Sequence, residues 1–205
     1  MTGLFITLEG GDGSGKSTQA ELLTHWLERE GKTVLRSREP GGTDVGTEIR
    51  EIVLHHRGEI APRAEALLYA ADRAQHIATK VRPALARGEI VIQDRYLDSS
   101  VAYQGAGRVL GAGEVRDLSL WAAEGLLPDL TILLDLDETV ARGRLNADNK
   151  RFDRLEAEQN EFHSRVREAF LELAVADPDR FLVLDASLPV ETLAESIRTR
   201  VAALL

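Results

Sequence analysis

The run Gly10-Gly11-Asp12-Gly13-Ser14-Gly15-Lys16-Ser17, followed by Thr18, sets a glycine, four free positions and then Gly-Lys-Ser in a row. That spacing suits phosphate. Glycines let the backbone curl until its N–H groups converge on phosphate oxygens, and a following helix points its positive end into the same nest. Lys16 can reach the outer phosphates of a nucleotide, and the Ser17 hydroxyl can ligate Mg²⁺. A glycine-rich turn with a solvated lysine is the plain alternative, and the flanks argue against it. Leu4-Phe5-Ile6-Thr7-Leu8 has the make-up of a short buried strand. Leu22, Leu23, Trp26 and Leu27 share one face of a helix that Gly31 ends. Strand, glycine loop and helix arrive in the order a nucleotide phosphate site needs.

Other polar groupings lie where such a site would draw on them. Arg38-Glu39-Pro40-Gly41-Gly42-Thr43 is a turn after the second strand, either part of a site or a surface loop with a stray ion pair. Arg50 falls on the helix beyond it. Tyr69 and Arg73 stand four apart on one helix face, placed to stack on a base and bond its edge, or else to cover the sheet. Asp94-Arg95-Tyr96 closes the third strand; an aspartate there can hold Mg²⁺, and its competing roles are a helix cap or a pair with Arg95. Ser99-Ser100-Val101-Ala102-Tyr103-Gln104-Gly105 supplies hydroxyls and an amide for a sugar or base, although polar turns of this kind are common. Residues 142–154 hold five basic side chains, Arg142, Arg144, Lys150, Arg151 and Arg154. They form either a lid that swings arginines over phosphates or a solvated charged loop. Asp135 and Asp137 read as structural.

Strands are expected at residues 4–8, 33–35, 90–92, 130–134 and 181–184, and helices at 16–30, 63–87, 113–124, 153–176 and 190–204. Short apolar runs alternating with helices predict an α/β fold, a five-stranded parallel sheet with helices on both faces. The 205 residues suffice for one domain, 1–205, with a core that needs no staples. There is no cysteine, which excludes disulfides, thiol catalysis and Cys-based zinc sites. No stretch of the sequence is apolar enough to span a membrane, and no signal segment is evident. A soluble, cytoplasmic protein is expected. The net charge of −9 argues against nucleic acid as a partner. Arginines gathered at loops on an acidic body suit small phosphorylated ligands instead.

These motifs together, with Asp72-Arg73, Asp153-Arg154-Leu155-Glu156 and Leu184-Asp185-Ala186, resemble the thymidylate kinase family of P-loop nucleoside monophosphate kinases. The resemblance implies phosphorylation of dTMP to dTDP by ATP and Mg²⁺, with Ser17 and Asp94 toward the metal. It implies Gly10 to Thr18, Arg142 and Ala186 for ATP. It places Asp12, Arg38, Glu39, Arg50, Tyr69, Arg73, Arg95, Ser99, Ser100, Tyr103 and Gln104 around dTMP. Tyr69 stands where the family usually stacks phenylalanine. Gly13 occupies the place where some members carry a loop arginine, so the lid should supply catalytic arginines, Arg144 and Arg151 beside Lys16 and Arg95. A homodimer is also implied. Rival readings are a deoxynucleoside kinase, which needs a carboxylate base, and a non-catalytic GTPase-like switch; no Asn-Lys-x-Asp guanine-reading element is present.

Overall fold

The computed structural model describes residues 3–147, 153–156 and 158–205. Among them a five-stranded sheet runs in the order β2-β3-β1-β4-β5, from β1 (Leu4–Glu9), β2 (Val34–Arg38), β3 (Ile90–Asp94), β4 (Leu130–Asp135) and β5 (Phe181–Asp185). Every pairing is parallel. Registers of Leu8 and Arg38 with Asp94, and of Asp135 with Asp185, bring the carboxyl ends to one edge. The chain leaves β1 for β2 on one side and later crosses to β4 on the other. Strand order therefore reverses at β1, and the glycine loop emerges at that switch point.

Alternating side chains send the two faces of the sheet into separate cores. Ile6, Leu8, Ile90, Ile92, Ile132 and Leu134 pack with Leu23 and Leu27 of α1 (Lys16–Arg29) and Ile197 and Val201 of α9 (Val190–Ala202). Phe5 and Val91 face the other way, onto Ile77, Val81, Tyr96 and Leu97. Leu133 and Phe181 meet Val166 and Phe170 of α8 (Asn160–Ala176). Two further helices pack on that side through Ile49, Val53, Leu54 and Tyr69. In α2 (Asp44–His55) the Thr43 hydroxyl caps the first turn by accepting from Gly46 N at 2.9 Å. Next comes α3 (Pro62–His76), with its proline in the first turn.

The five strands and the main helices lie where the sequence places them, with instructive exceptions. The expected helix 63–87 runs through α3 into α4 (Arg82–Ala86) but widens into a π-helical turn at Ile77–Val81. Pro83, at the start of α4, has no N–H to return to the preceding turn. Residues read as a polar turn instead form a short helix, α5 (Leu97–Ser100), and a π-helical segment, Val101–Gly107, before α6 (Ala112–Ala122). The first part of the expected lid is helical, α7 (Glu138–Ala147). Helix α8 begins seven residues later than expected, at Asn160. Asp153 holds the preceding segment in a turn, its Oδ1 accepting from Leu155 N and Glu156 N at 2.8 and 2.9 Å.

Candidate active site

The glycine loop is closed by backbone geometry. Gly10 has φ 130°, and a Cβ there would run into the Leu134 carbonyl. Gly15 has φ 93° at the head of α1, whose first turn has neither a side-chain cap nor an acidic residue. Its unused N–H groups and positive end therefore stay available to an anion. Lys16 is buried and folds back over the loop, donating to Gly10 O at 3.1 Å and Gly11 O at 2.8 Å. Burial, with Arg95 nearby, lowers its pKa from the ordinary lysine value. Ser17 Oγ lies 3.5 Å from Asp94 Oδ2, and Asp94 Oδ1 is buried with no hydrogen-bond partner. A hydroxyl beside a carboxylate with a spare oxygen suits a hard, oxygen-seeking cation such as Mg²⁺. Among the described residues no cluster of three or more acidic or histidine ligands exists, so phosphates and water would complete such a site.

A second hollow of about 650 Å³ opens beside the loop, walled by Glu39, Pro40, Arg50, Tyr69, Arg73, Ser99, Ser100, Tyr103 and Gln104. Asp12 and Arg95 belong to this hollow and to the open cleft over the glycine loop, and so join the two. Arg95 adopts φ 65°, a left-handed backbone that few side chains accept. It donates to Asp12 Oδ1 at 2.6 Å, to Gly10 O at 3.1 Å and to Ser99 Oγ at 3.2 Å, and stacks 5.0 Å over Tyr103. Burial opposes the Asp12 charge, yet Arg95 and Lys16 outweigh it and hold that carboxyl at about 2. The Tyr103 hydroxyl is buried without a partner, a hydrogen-bonding atom left for a ligand.

Arg38 and Arg50 border the same cleft. Arg50 donates to Pro40 O at 3.0 Å, and its pKa is lowered by burial and then by Arg38. Two neighbouring guanidiniums with a lysine and Arg95 opposite define a place for a second anion. At the far end, Arg73 is 1% exposed and donates to Glu39 Oε2 at 2.9 Å, Ser119 Oγ at 3.1 Å and Ser100 Oγ at 3.1 Å. Tyr69 lies one turn away on the same wall.

The basic residues beyond β4 separate. Arg144 donates to Gly13 O at 3.3 Å and Ala186 O at 3.0 Å, bridging the glycine loop and the turn after β5. Arg142, which the family resemblance assigns with Ala186 to ATP, reaches Asn160 Oδ1 at 2.7 Å and faces a third hollow of about 710 Å³ between α7 and α8. Arg154 pairs with Glu65 and donates to Val53 O at 3.0 Å, away from the phosphate cleft. Lys150 and Arg151 lie outside the described residues. Asp135 receives two bonds from Arg167, at 2.7 and 3.0 Å, as suits a structural role.

Sequence reasoning missed three buried acids and bases beneath the site. Glu9 is fully buried and accepts from Tyr96 N at 2.7 Å and Ser99 Oγ at 2.5 Å. Burial, then Asp98, pushes its carboxyl up to about 8. Glu65 accepts from Gln104 at 2.9 Å and from Arg108 and Arg154. His76 is buried against Glu39. Residues 65, 69, 73 and 76 recur at helical spacing, a polar stripe on the covered face of α3 that marked them out.

A parallel sheet with a phosphate loop at its switch point, joined to a second cationic pocket, defines a P-loop phosphotransferase acting between two nucleotides. The thymidylate kinase family model matches residues 8–197. A thymidylate kinase of Leifsonia xyli subsp. xyli is 76% identical over 97% of this chain and 94% of its own. One from Gloeobacter violaceus is 51% identical over 97% of this chain and 94% of its own. The solved thymidylate kinase of Ehrlichia chaffeensis superposes with a TM-score of 0.80 at 28% identity, covering 98% of this chain and 99% of that one. The chain belongs to the thymidylate kinase family, whose activity is phosphorylation of dTMP.

Proposed function

We propose that the cleft over the glycine loop binds ATP, the 650 Å³ hollow binds dTMP, and the two phosphates meet between Lys16 and Arg95. The observation that carries this is the shared wall: Asp12 and Arg95 belong to both spaces, so a phosphate at the mouth of one faces the other. The nucleophile is an oxygen of the dTMP phosphate. Its second pKa is about 6, so it is mostly ionised at neutral pH and needs no general base. The obstacle is repulsion between two anions, which fixed positive charge offsets. Arg38, Arg50 and Arg95 hold the acceptor, Lys16 the donor, and Arg144, already at Gly13, is the described lid-side arginine placed to join them. Arg151 is retained as a candidate from the sequence alone. Tyr69 stacks on thymine, Arg73 bonds its edge, and Ser99, Ser100, Tyr103 and Gln104 line sugar and base. Ser17 and Asp94 would hold Mg²⁺, which when bound supplies positive charge to the donor phosphates.

A kinase acting on a nucleoside hydroxyl wants a carboxylate free to take a proton. Glu9 is buried with both oxygens accepting bonds, Asp12 is paired to Arg95, and Asp94, which keeps a spare oxygen, borders the glycine-loop cleft and not the acceptor hollow, so the geometry favours a phosphate acceptor. The decisive test supplies ATP and Mg²⁺ with a panel of nucleosides and nucleoside monophosphates. Turnover with dTMP far above the rest is expected, and preference for thymidine would overturn the assignment. We further propose that residues 1–205 act as one domain, in the cytoplasm, as a homodimer and without nucleic acid. Exposed Leu67 on α3 and Trp121 on α6 are apolar surface a second copy could cover, and sedimentation equilibrium decides it.

A further inference from the structure

We propose that His76 is a positioning residue for the acceptor pocket: through Glu39 it fixes the Arg73 guanidinium in the pose that meets the base. This rests on the reading of the 650 Å³ hollow as the dTMP site. His76 is 0% exposed and is not part of the wall of that hollow, so any effect on substrate must pass through a neighbour. Both ring nitrogens are engaged. Nδ1 lies 3.0 Å from Glu39 Oε1 and Nε2 2.6 Å from Ser37 Oγ. Against a carboxylate, Nδ1 is the donor.

Glu39 is thus held from two sides, by His76 on Oε1 and by Arg73 Nε on Oε2. Arg73 is held at its other end by Ser119 and Ser100. Of the five N–H donors of a guanidinium, three are engaged, leaving two for a ligand. Take His76 away and Glu39 Oε1 becomes a buried carboxylate oxygen with no donor, which costs more than the bond was worth. The carboxylate can recover by rotating to take a second bond from Arg73, and that rotation consumes a donor meant for the base. The backbone is fitted around the same ring: a Cβ on Gly42 would lie 2.6 Å from His76 Nε2. His76 therefore also seats residues 39–42, which turn beneath Arg50.

The test uses three variants of the full chain. His76→Asn sets an amide N–H near the place of Nδ1 and keeps the bond to Glu39. His76→Gln sets one near Nε2 and keeps only the contact with Ser37. His76→Leu keeps neither. His76→Leu is expected to raise the KM for dTMP about tenfold or more, while kcat and the KM for ATP stay within about twofold. His76→Asn should recover most of the loss and His76→Gln little of it, whatever the three do to melting temperature. Equal behaviour of Asn and Gln, or KM values for both nucleotides rising together, would reduce His76 to packing and overturn the proposal. Arg73→Ala run alongside separates the layers. If it raises the KM for dTMP while His76→Leu does not, the His76 role alone is wrong. If it leaves that KM unchanged, the reading of the hollow is wrong and this proposal goes with it.

Discussion

The two parts of the cleft proposed for donor and acceptor are built on different principles. The donor half is backbone. Its anion nest is made by consecutive residues, Gly10 to Ser17, and its charge comes from the head of α1 with one lysine folded over it. The acceptor half is side chain. Glu39, Arg73, Ser100 and Ser119 are far apart in sequence and meet only in the fold. A backbone nest recognises phosphate, the part all nucleotides share, while a side-chain pocket can distinguish one base from another. The division predicts that damage on the donor side appears in turnover and damage on the acceptor side in affinity for one substrate.

The largest effect is expected at Lys16. Lys16→Ala removes the lysine charge of the glycine loop, proposed to face the transferring group, and kcat should fall on the order of 10³-fold, the scale of a lost cation in phosphoryl transfer. Its bonds are to loop carbonyls, so the circular dichroism spectrum should not change. Steady-state assay with a coupled ADP readout checks this, and retained turnover would erase the contrast between the two halves. Arg73→Ala comes next. It should raise the KM for dTMP about a hundredfold, as expected for truncating a hydrogen-bonded charge, with little change for ATP. Titration of each nucleotide separately decides it, and equal losses would mean the pocket is not divided as described.

The same division explains what the sequence makes legible. Strands such as Ile90–Asp94 and the glycine loop are local patterns, and they lie within a few residues of where the apolar runs put them. Segment Val101–Gly107, with two glycines and Gln104 following a pair of serines, reads as a turn yet is wound into a helix beside α8, whose Phe162 meets Tyr103 at 6.0 Å. Tertiary packing overrode propensity there. Glu9, Glu65 and His76 stayed hidden for another reason. A buried ionisable side chain is explained by its partners, and these are 34 to 90 residues away: Glu39 and Arg73, Glu39 and His76, Glu9 and Ser99. Likewise Arg142 and Arg144 look interchangeable two residues apart, but on α7 they point to different places, one to Asn160 and one to Gly13.

Glu65 sharpens the comparison on the acceptor side. It gathers Gln104 from the proposed base pocket, Arg108 behind it, and Arg154, the last residue of the expected lid. Glu65→Gln keeps the shape but loses the charge that three donors face. The KM for dTMP should rise about tenfold and the melting temperature fall, since guanidiniums lose a charged partner in a buried place. ATP affinity measured on the same variant should hold. If dTMP binding also holds, Glu65 is a structural tie and no part of the pocket.

The smallest effect concerns Glu9, where the two halves join, and it is read in stability rather than activity. Its carboxyl, raised by burial to about 8 from the usual 4.5, keeps its proton in the folded protein after the unfolded chain has lost it. Between those values the folded state binds more protons, so this group's contribution to stability falls as pH rises and levels off above about 8. Asp72, raised by burial and then by Glu39 to about 6 from 3.8, acts with the same sign over a lower range. Glu9→Gln preserves the shape and an acceptor for Tyr96 N–H but cannot ionise. Its melting temperature should therefore decline less than that of the parent from pH 5 to pH 8, with the two curves diverging most near the upper end. Parallel curves would mean that Glu9 is already ionised at pH 5, its charge balanced by Arg95, Tyr96 N–H and Ser99, and the junction between donor and acceptor would then be a fixed ion pair rather than a buried neutral acid.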